Sequence, residues 1–509
     1  MTDNRLTRID QQRWRIVNRF GIDATLFAVP EVPIESAAIE ELSTMLEVQQ
    51  TVELMAKADP DMFETPPEVL QVAITPDFHK ARGIPVGTVI ATKGFSIPQA
   101  IGNDVNCGMR LHLTNLSADE LIPRIDSLET RFRHSYFEGG RDIPMNRAQR
   151  LALLTQGLEG LFNAVPRSFD LGLWRTVHQQ NFADQLDRVD RRGSLRAGTP
   201  TALDNWLGPS DRISRDSQIG SIGGGNHFVE IQRVERIIDG SIAHAWGLKA
   251  NAIVVMVHSG SLSLGHASGG LGRDAVRAAY PSGLNHPSNG IFVLPDGPRY
   301  AKLASKVHDA LTHAANFAFA NRLLLATMAI QNLEKEFGSV QAPLLYDAPH
   351  NYWWRDETKG ARVTVHRKGA CPARSYDQMT ESIFKYTGEP VLVPGSMGAS
   401  SFILAGKGLS DSLMSASHGA GRVLPRGEAM RGHDQEFEEF MKRFRVVTPV
   451  DFRRVDIRSR KDILQKKLEE IRQEAPYAYK GIGPVIETLS GAGMAKTVAE
   501  LVPLMTVKG

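Results

Sequence analysis

NHFVEIQRV (residues 226–234) and NAIVVMVH (residues 251–258) decide the reading of the fold. Both are short runs dominated by β-branched and other apolar residues, bounded by glycine or polar turns, and read as strands. His227 and His258 sit at their ends. The GGG at 223–225 is not a dinucleotide-binding fingerprint, because a strand rather than a helix follows it.

The same texture extends upstream and downstream. Between about 70 and 115, VGTVIAT and MRLHLTNL read as strands separated by Gly/Pro turns, with DVNCG (104–108) leading into the second. After 336, PLLYDAPHN, ARVTVHRKGA and EPVLVPGSMGASSFILAG add short strands and loops. Helical periodicity marks 35–58, a long stretch at 299–336, and two stretches near 432–444 and 451–474. Residues 117–215 are helical, charged and locally Arg-rich (DRVDRRGSLR), an expected helical insertion whose charges read as a solvated face. Strands and helices interleave without a regular βαβ rhythm. The expected class is therefore α+β, one large domain over 1–509 with a mixed β core flanked by helices.

Composition bounds the rest. Hydrophobic residues make up 42% and charged residues 23% of 509 positions, ordinary for a globular chain. A net charge of +2 gives no global attraction to nucleic acid, so any basic binding surface must be local. Two cysteines exclude a disulfide framework and fit a reducing compartment. The N-terminal segment lacks an apolar signal core and no stretch is long and apolar enough to span a membrane. The expected home is the cytoplasm, without membrane association. The final VKG, with no polar tail, is expected to be tied into the structure.

The chemistry gathers in glycine-rich segments. Asp104 lies three positions before Cys107, and His227, His258 and His350 stand in GGGNHF, VHSGS and DAPHN. Thiolate, carboxylate and imidazole form the ligand set of Zn²⁺, Mn²⁺, Fe²⁺ or Co²⁺. Small residues around them let backbone N–H groups approach a phosphate. His418 differs, since Gly419, Ala420, Gly421, Arg422 and Arg426 follow it. An imidazole beside two arginines suits a phosphorylated or nucleotidylated nucleophile. In HRKGA, Arg367 and Lys368 are candidates for nucleic-acid phosphates.

In order along the chain, PDFHKARGIPVG, DVNCGMRL, GGGNHFVEIQ, VHSGS…LGH, APHN, HRKGA, PVLVPGSMG, SHGAGR, EAPYAYK and VKG resemble the RtcB-type RNA-splicing ligases. The resemblance implies an RtcB-like fold and a GTP- and Mn²⁺-dependent ligase. Such an enzyme joins RNA 2′,3′-cyclic phosphate or 3′-phosphate ends to 5′-hydroxyl ends, in tRNA splicing or RNA repair, with an activating protein as a further partner. It implies His418 as the guanylylated nucleophile and an RNA-(3′)pp(5′)G intermediate. Two Mn²⁺ ions would share Cys107, with Asp104 and His227 on one and His258 and His350 on the other. The GTP pocket would draw on Asn226, His227, Phe228, Val229, Glu230, His350 and Asn351. Its further members would be Pro394, Gly395, Ser396, Met397, Ser401, the loop His418–Gly421, Tyr479 and Lys508.

The chain departs from the family pattern at Leu262, where HSGSLS replaces HSGSRG and a phosphate-contacting arginine is lost, and at Ala81 and Thr88, where glycine is common. Two other readings compete: a metal-dependent RNA phosphoesterase or nuclease, and a non-catalytic RNA-binding paralogue on the same scaffold. A hydrolase needs no nucleotidylated histidine, and a non-catalytic relative would have lost ligands.

Overall fold

The computed structural model describes residues 3–200, 203–208, 212–358, 361–452 and 454–509. Two sheets organise an α+β fold. One runs Leu6–Arg8, Arg13–Ile16, Asp23–Phe27, Glu68–Arg82, Ile84–Lys93, Ala361–Lys368 and Asn351–Thr358 from edge to edge. The other runs Leu344–Pro349, Gly108–Ser117, Ala252–Ser259, Phe228–Ile237, Ala495–Val507, Ser401–Gly406 and Pro390–Val393, with Val446–Val447 alongside Ala495–Val507. The two strands that decided the reading pair antiparallel, Phe228 opposite His258, which brings the histidine ends of both strands to one rim of the sheet.

Ala301–Phe337 is a 37-residue helix. Its middle is buried on every side, from Leu311 to Ile330, with polar residues such as Asn316, Asn321 and Arg322 set among apolar ones. It packs beneath the second sheet and shares one core with residues of the 117–215 region such as Leu128, Phe132 and Leu158. In that region Ile125–Phe137 and Arg147–Ala164 are its longest helices. The Arg-rich run is divided: Arg191 and Arg192 are exposed, whereas Val189 and Asp190 are buried. The Asp190 carboxylate accepts from Arg374 at 2.6 Å.

Three sequence expectations are corrected in detail. The 35–58 helix is two, Ser36–Leu46 and Val48–Ala58, hinged at Glu47. The 451–474 stretch is likewise split into Val455–Ser459 and Lys461–Arg472. The C-terminal segment, expected only to be tied down, is a 13-residue strand inside the second sheet. It carries the alternating burial of a strand, but Pro503 within the run is a residue that argues against a central strand. The register shift between Ile231 and Gln232 absorbs it. Among the described residues no helix is long and apolar enough to cross a membrane.

Candidate active site

The DVNCG turn is built by local geometry. Asn106 adopts φ +58°, a left-handed conformation that asparagine tolerates better than most residues. Its side chain donates to Ala315 O at 2.8 Å and its backbone N–H to Asn351 O at 2.7 Å. Gly108 follows because a Cβ there would lie 2.5 Å from Ala348 O and 3.0 Å from Arg322 Cζ. Arg322, wholly buried on the long helix, donates to Asn106 O at 2.6 Å and to Ser259 O at 3.2 Å. It also pairs with Asp347 Oδ1 at 2.9 Å, while Arg110 takes the other oxygen at 3.0 Å. A desolvated charge network thus clamps the Cys107 turn to the end of the His258 strand.

Upon this base the donor atoms converge. His227 Nδ1 lies 3.0 Å from Ile222 O and His258 Nδ1 lies 3.2 Å from Asn226 O. Carbonyls only accept, so each Nδ1 donates and each Nε2 is the nitrogen turned toward the cluster. There the Nε2 atoms meet other ligand-type atoms. His227 Nε2 is 2.8 Å from Asp104 Oδ2, Cys107 Sγ is 3.2 Å from both His227 Nε2 and His258 Nε2, and His258 Nε2 is 3.2 Å from His350 Nε2. Asp104 Oδ2 and His350 Nδ1 are buried without a hydrogen-bond partner among the described residues. Two triads result, Asp104–Cys107–His227 and Cys107–His258–His350, each with ligand atoms within 4.8 Å of one another.

Carboxylate, thiol and imidazole atoms converging in a buried pocket are a transition-metal ligand set, so the residues fit a two-metal centre sharing the thiolate. Burial keeps His258 and His350 neutral, the form that ligates. Burial, with the Asp104 carboxylate, pushes the Cys107 thiol up, so its thiolate requires adjacent cations.

His418 stands against this cluster, its ring 4.6 Å from that of His350. Its Nδ1 lies 2.5 Å from Asp77 Oδ2, and Thr75 Oγ1 donates to the other Asp77 oxygen. Burial alone would raise the Asp77 carboxyl, but the charge of His418 and these hydrogen bonds hold it below its usual value. A carboxylate on Nδ1 leaves Nε2 as the free nitrogen. Gly421, at φ +78°, is required because any side chain would strike the Asp77 backbone. Lys480 steadies the same strand by donating to Pro76 O at 3.0 Å and Phe78 O at 2.6 Å.

A cavity of about 280 Å³ joins these parts. All five residues of the two triads and the His418–Gly421 loop line it. One wall carries Asn226, Phe228, Glu230, Tyr479 and Lys508; Asn351, Lys368, Arg422, Arg426 and the Pro394–Met397 loop complete the predicted set on its surface. Glu230 accepts from Gln232 at 2.6 Å and Thr506 at 2.5 Å, and burial raises its carboxyl. Burial also brings Lys508 down to about 8. Its ammonium donates to Gly225 O at 2.5 Å.

Three predicted residues lie elsewhere. Val229 points into the apolar core, on the opposite face of its strand from Phe228 and Glu230. Ser401 sits behind the wall, accepting from Gln232 Nε2 at 3.1 Å and from Gly395 N at 3.4 Å. Arg367 faces the far side of the 351–368 hairpin and donates to Ser415 Oγ at 2.8 Å and Leu413 O at 3.2 Å. Arg422 lines the cavity but is held by Gln473 O at 2.7 Å and Glu474 at 3.3 Å, whereas Arg426 is half-exposed at the rim.

Sequence reading missed Asp77, Arg322, Asp347, Glu474 and Thr506. Asp77, Asp347 and Glu474 carried a signal, as the carboxylates of the quoted PDFHK, DAPHN and EAPYAYK segments. Leu262, the departure from the family pattern, has φ +54° and donates its N–H toward Asp104 Oδ1 at 3.3 Å.

Comparison with known proteins accords with this geometry. The model of the tRNA-splicing ligase RtcB family matches residues 62–509. A tRNA-splicing ligase RtcB of Thermococcus kodakarensis is 30% identical over 537 aligned positions, covering 99% of each chain. Relatives of the same name from Pyrobaculum aerophilum, 31% identical over 86% of this chain and 87% of theirs, and from Nanoarchaeum equitans, 30% identical over the whole of both, are similar in the same way. Ordered motifs, converging ligands and a match over most of its length together place this chain in the RtcB family.

Proposed function

We propose that this protein is an RNA ligase of the tRNA-splicing type. It uses GTP to join RNA 3′-phosphate ends, or 2′,3′-cyclic phosphates opened to them by water, to 5′-hydroxyl ends. The observation that carries the reading is the Asp77–His418 pair beside the two ligand triads. A nuclease needs neither a carboxylate-held imidazole nor a base-binding wall.

His418 Nε2 attacks the α-phosphorus of GTP. An N–P bond forms, the bond to the β-phosphate oxygen breaks and pyrophosphate leaves. The imidazole, now carrying Nδ1–H and a phosphoryl group, is cationic, and Asp77 stabilises that charge. An oxygen of the RNA 3′-phosphate then attacks the same phosphorus and His418 departs as neutral imidazole, giving RNA-(3′)pp(5′)G. The 5′-hydroxyl attacks the RNA phosphate, its proton is lost, and GMP leaves. Manganese held by Asp104, Cys107 and His227, and by Cys107, His258 and His350, would neutralise and orient the phosphates. Glu230 receives the N–H groups of the guanine edge, which adenine lacks in that arrangement.

The test is incubation with α-labelled GTP and Mn²⁺. Acid-labile label should appear on the wild type and be absent from His418→Ala. Normal labelling of His418→Ala would sink the assignment.

A further inference from the structure

One polar group on the cavity surface has no part in the chemistry above. His79 lies two residues beyond Asp77 on the strand Glu68–Arg82, half-buried, and lines the cavity. It pairs across the hairpin with Val86, and Val86 and His418 both crowd Gly369. His79 therefore stands beside the nucleophile, at the end of the cavity that also holds Val86, Gly102 and Lys368.

Its protonation state follows from geometry. Nδ1 is 2.8 Å from Asp77 O, a carbonyl that only accepts, so Nδ1 carries the hydrogen and Nε2 the lone pair. Nε2 has no hydrogen-bond partner among the described residues. Beyond it, the hairpin tip exposes Lys80 and Arg82, which form no ion pair among the described residues. Lys368 reaches the same tip, donating to Ile84 O at 2.5 Å. A neutral acceptor open to the cavity beside the nucleophile, with cations fanning outward, suits the end of a polyanion that brings a hydroxyl inward.

We infer that His79 Nε2 accepts a hydrogen bond from a hydroxyl of the RNA ends, with Lys80 and Arg82 on the path of the RNA backbone. The inference rests on the ligase reading. Burial lowers the imidazole to about 4, which favours the neutral ring and hence a donor over an anion as its partner. Two hydroxyls come close to the reacting phosphorus: the 2′-hydroxyl of the 3′-terminal ribose and the attacking 5′-hydroxyl. The former would let the site tell RNA from DNA.

The experiment compares wild type, His79→Ala and His79→Gln, following GMP labelling, RNA-(3′)pp(5′)G and sealed product separately. Donor strands carry a 3′-phosphate on either a terminal ribose or a 2′-deoxyribose. His79→Ala should label with GMP at the wild-type rate and lose roughly tenfold in one later step. His79→Gln, which restores an acceptor, should recover part of it. If the 2′-hydroxyl is the donor, RNA-(3′)pp(5′)G formation slows, and the deoxyribose penalises the wild type but not His79→Ala. If the 5′-hydroxyl is the donor, that intermediate accumulates and the sugar is immaterial. Unchanged later steps in His79→Ala overturn the inference. So does a matching loss of GMP labelling, which would make His79 a prop for Asp77. Wild-type protein that never labels overturns the ligase reading itself, and this inference with it.

Discussion

Asp77 Oδ2 and His418 Nδ1 meet at 2.5 Å although the residues are 341 positions apart in the chain. The contact fixes which imidazole nitrogen is free. Asp77→Asn keeps the shape but removes the charge that would stabilise a guanylylated ring. GMP labelling should fall by roughly 10²- to 10⁴-fold, the range seen when such a carboxylate is neutralised elsewhere. Metal content, measured by elemental analysis, should not change. Wild-type labelling by Asp77→Asn would remove the carboxylate from the mechanism.

Cys107 belongs to both ligand triads. Cys107→Ser should therefore lose metal from both positions and lose GMP labelling with it. Manganese should raise the melting temperature of the wild type and do so less in the variant, because binding to the native state alone stabilises it. Full metal occupancy in Cys107→Ser would refute a shared thiolate.

Burial brings the Lys508 ammonium down to about 8. The ammonium is present below that value and lost above it. GTP affinity should therefore decline as pH rises through 8, with the bound anion shifting the decline upward. Lys508→Met should bind more weakly and lose this dependence. Parallel pH profiles for the two proteins, read by fluorescent-nucleotide titration, would show that the ammonium does not contribute.

Leu262 occupies a left-handed turn whose N–H supports Asp104 and whose side chain lies against Gly223. A charge-assisted phosphate contact contributes about 1.5–3 kcal/mol. Leu262→Arg should tighten RNA binding by about ten- to a hundredfold and steepen its salt dependence by up to about one phosphate contact, leaving GMP labelling unchanged. Identical affinities and salt slopes would place position 262 away from the RNA.

How much of this was legible depends on where each signal resides. His227 and His258 were readable because strand periodicity put both at strand ends, and antiparallel pairing then made those ends neighbours. Cys107 was readable from its rarity and its closeness to Asp104. Asp77 was hidden by distance, since nothing local couples it to His418. Arg322 was hidden by context: one charge within the apolar stretch of a long helix carries no role until Asp347 is seen beside it. Arg367 and Lys368 show the opposite difficulty. Adjacent residues on a strand point to opposite faces, so a basic pair in sequence became one cavity residue and one residue behind the hairpin.

The strand Ala495–Val507 lies between Phe228–Ile237 and Ser401–Gly406, and its end delivers Thr506 and Lys508 to the cavity. Pairings such as Val229 with Val507 close a very long loop before they return any stabilisation. Such non-local contacts slow folding. The cavity wall at Glu230 and Thr506 is therefore complete only once residues 276 positions apart in the chain have met.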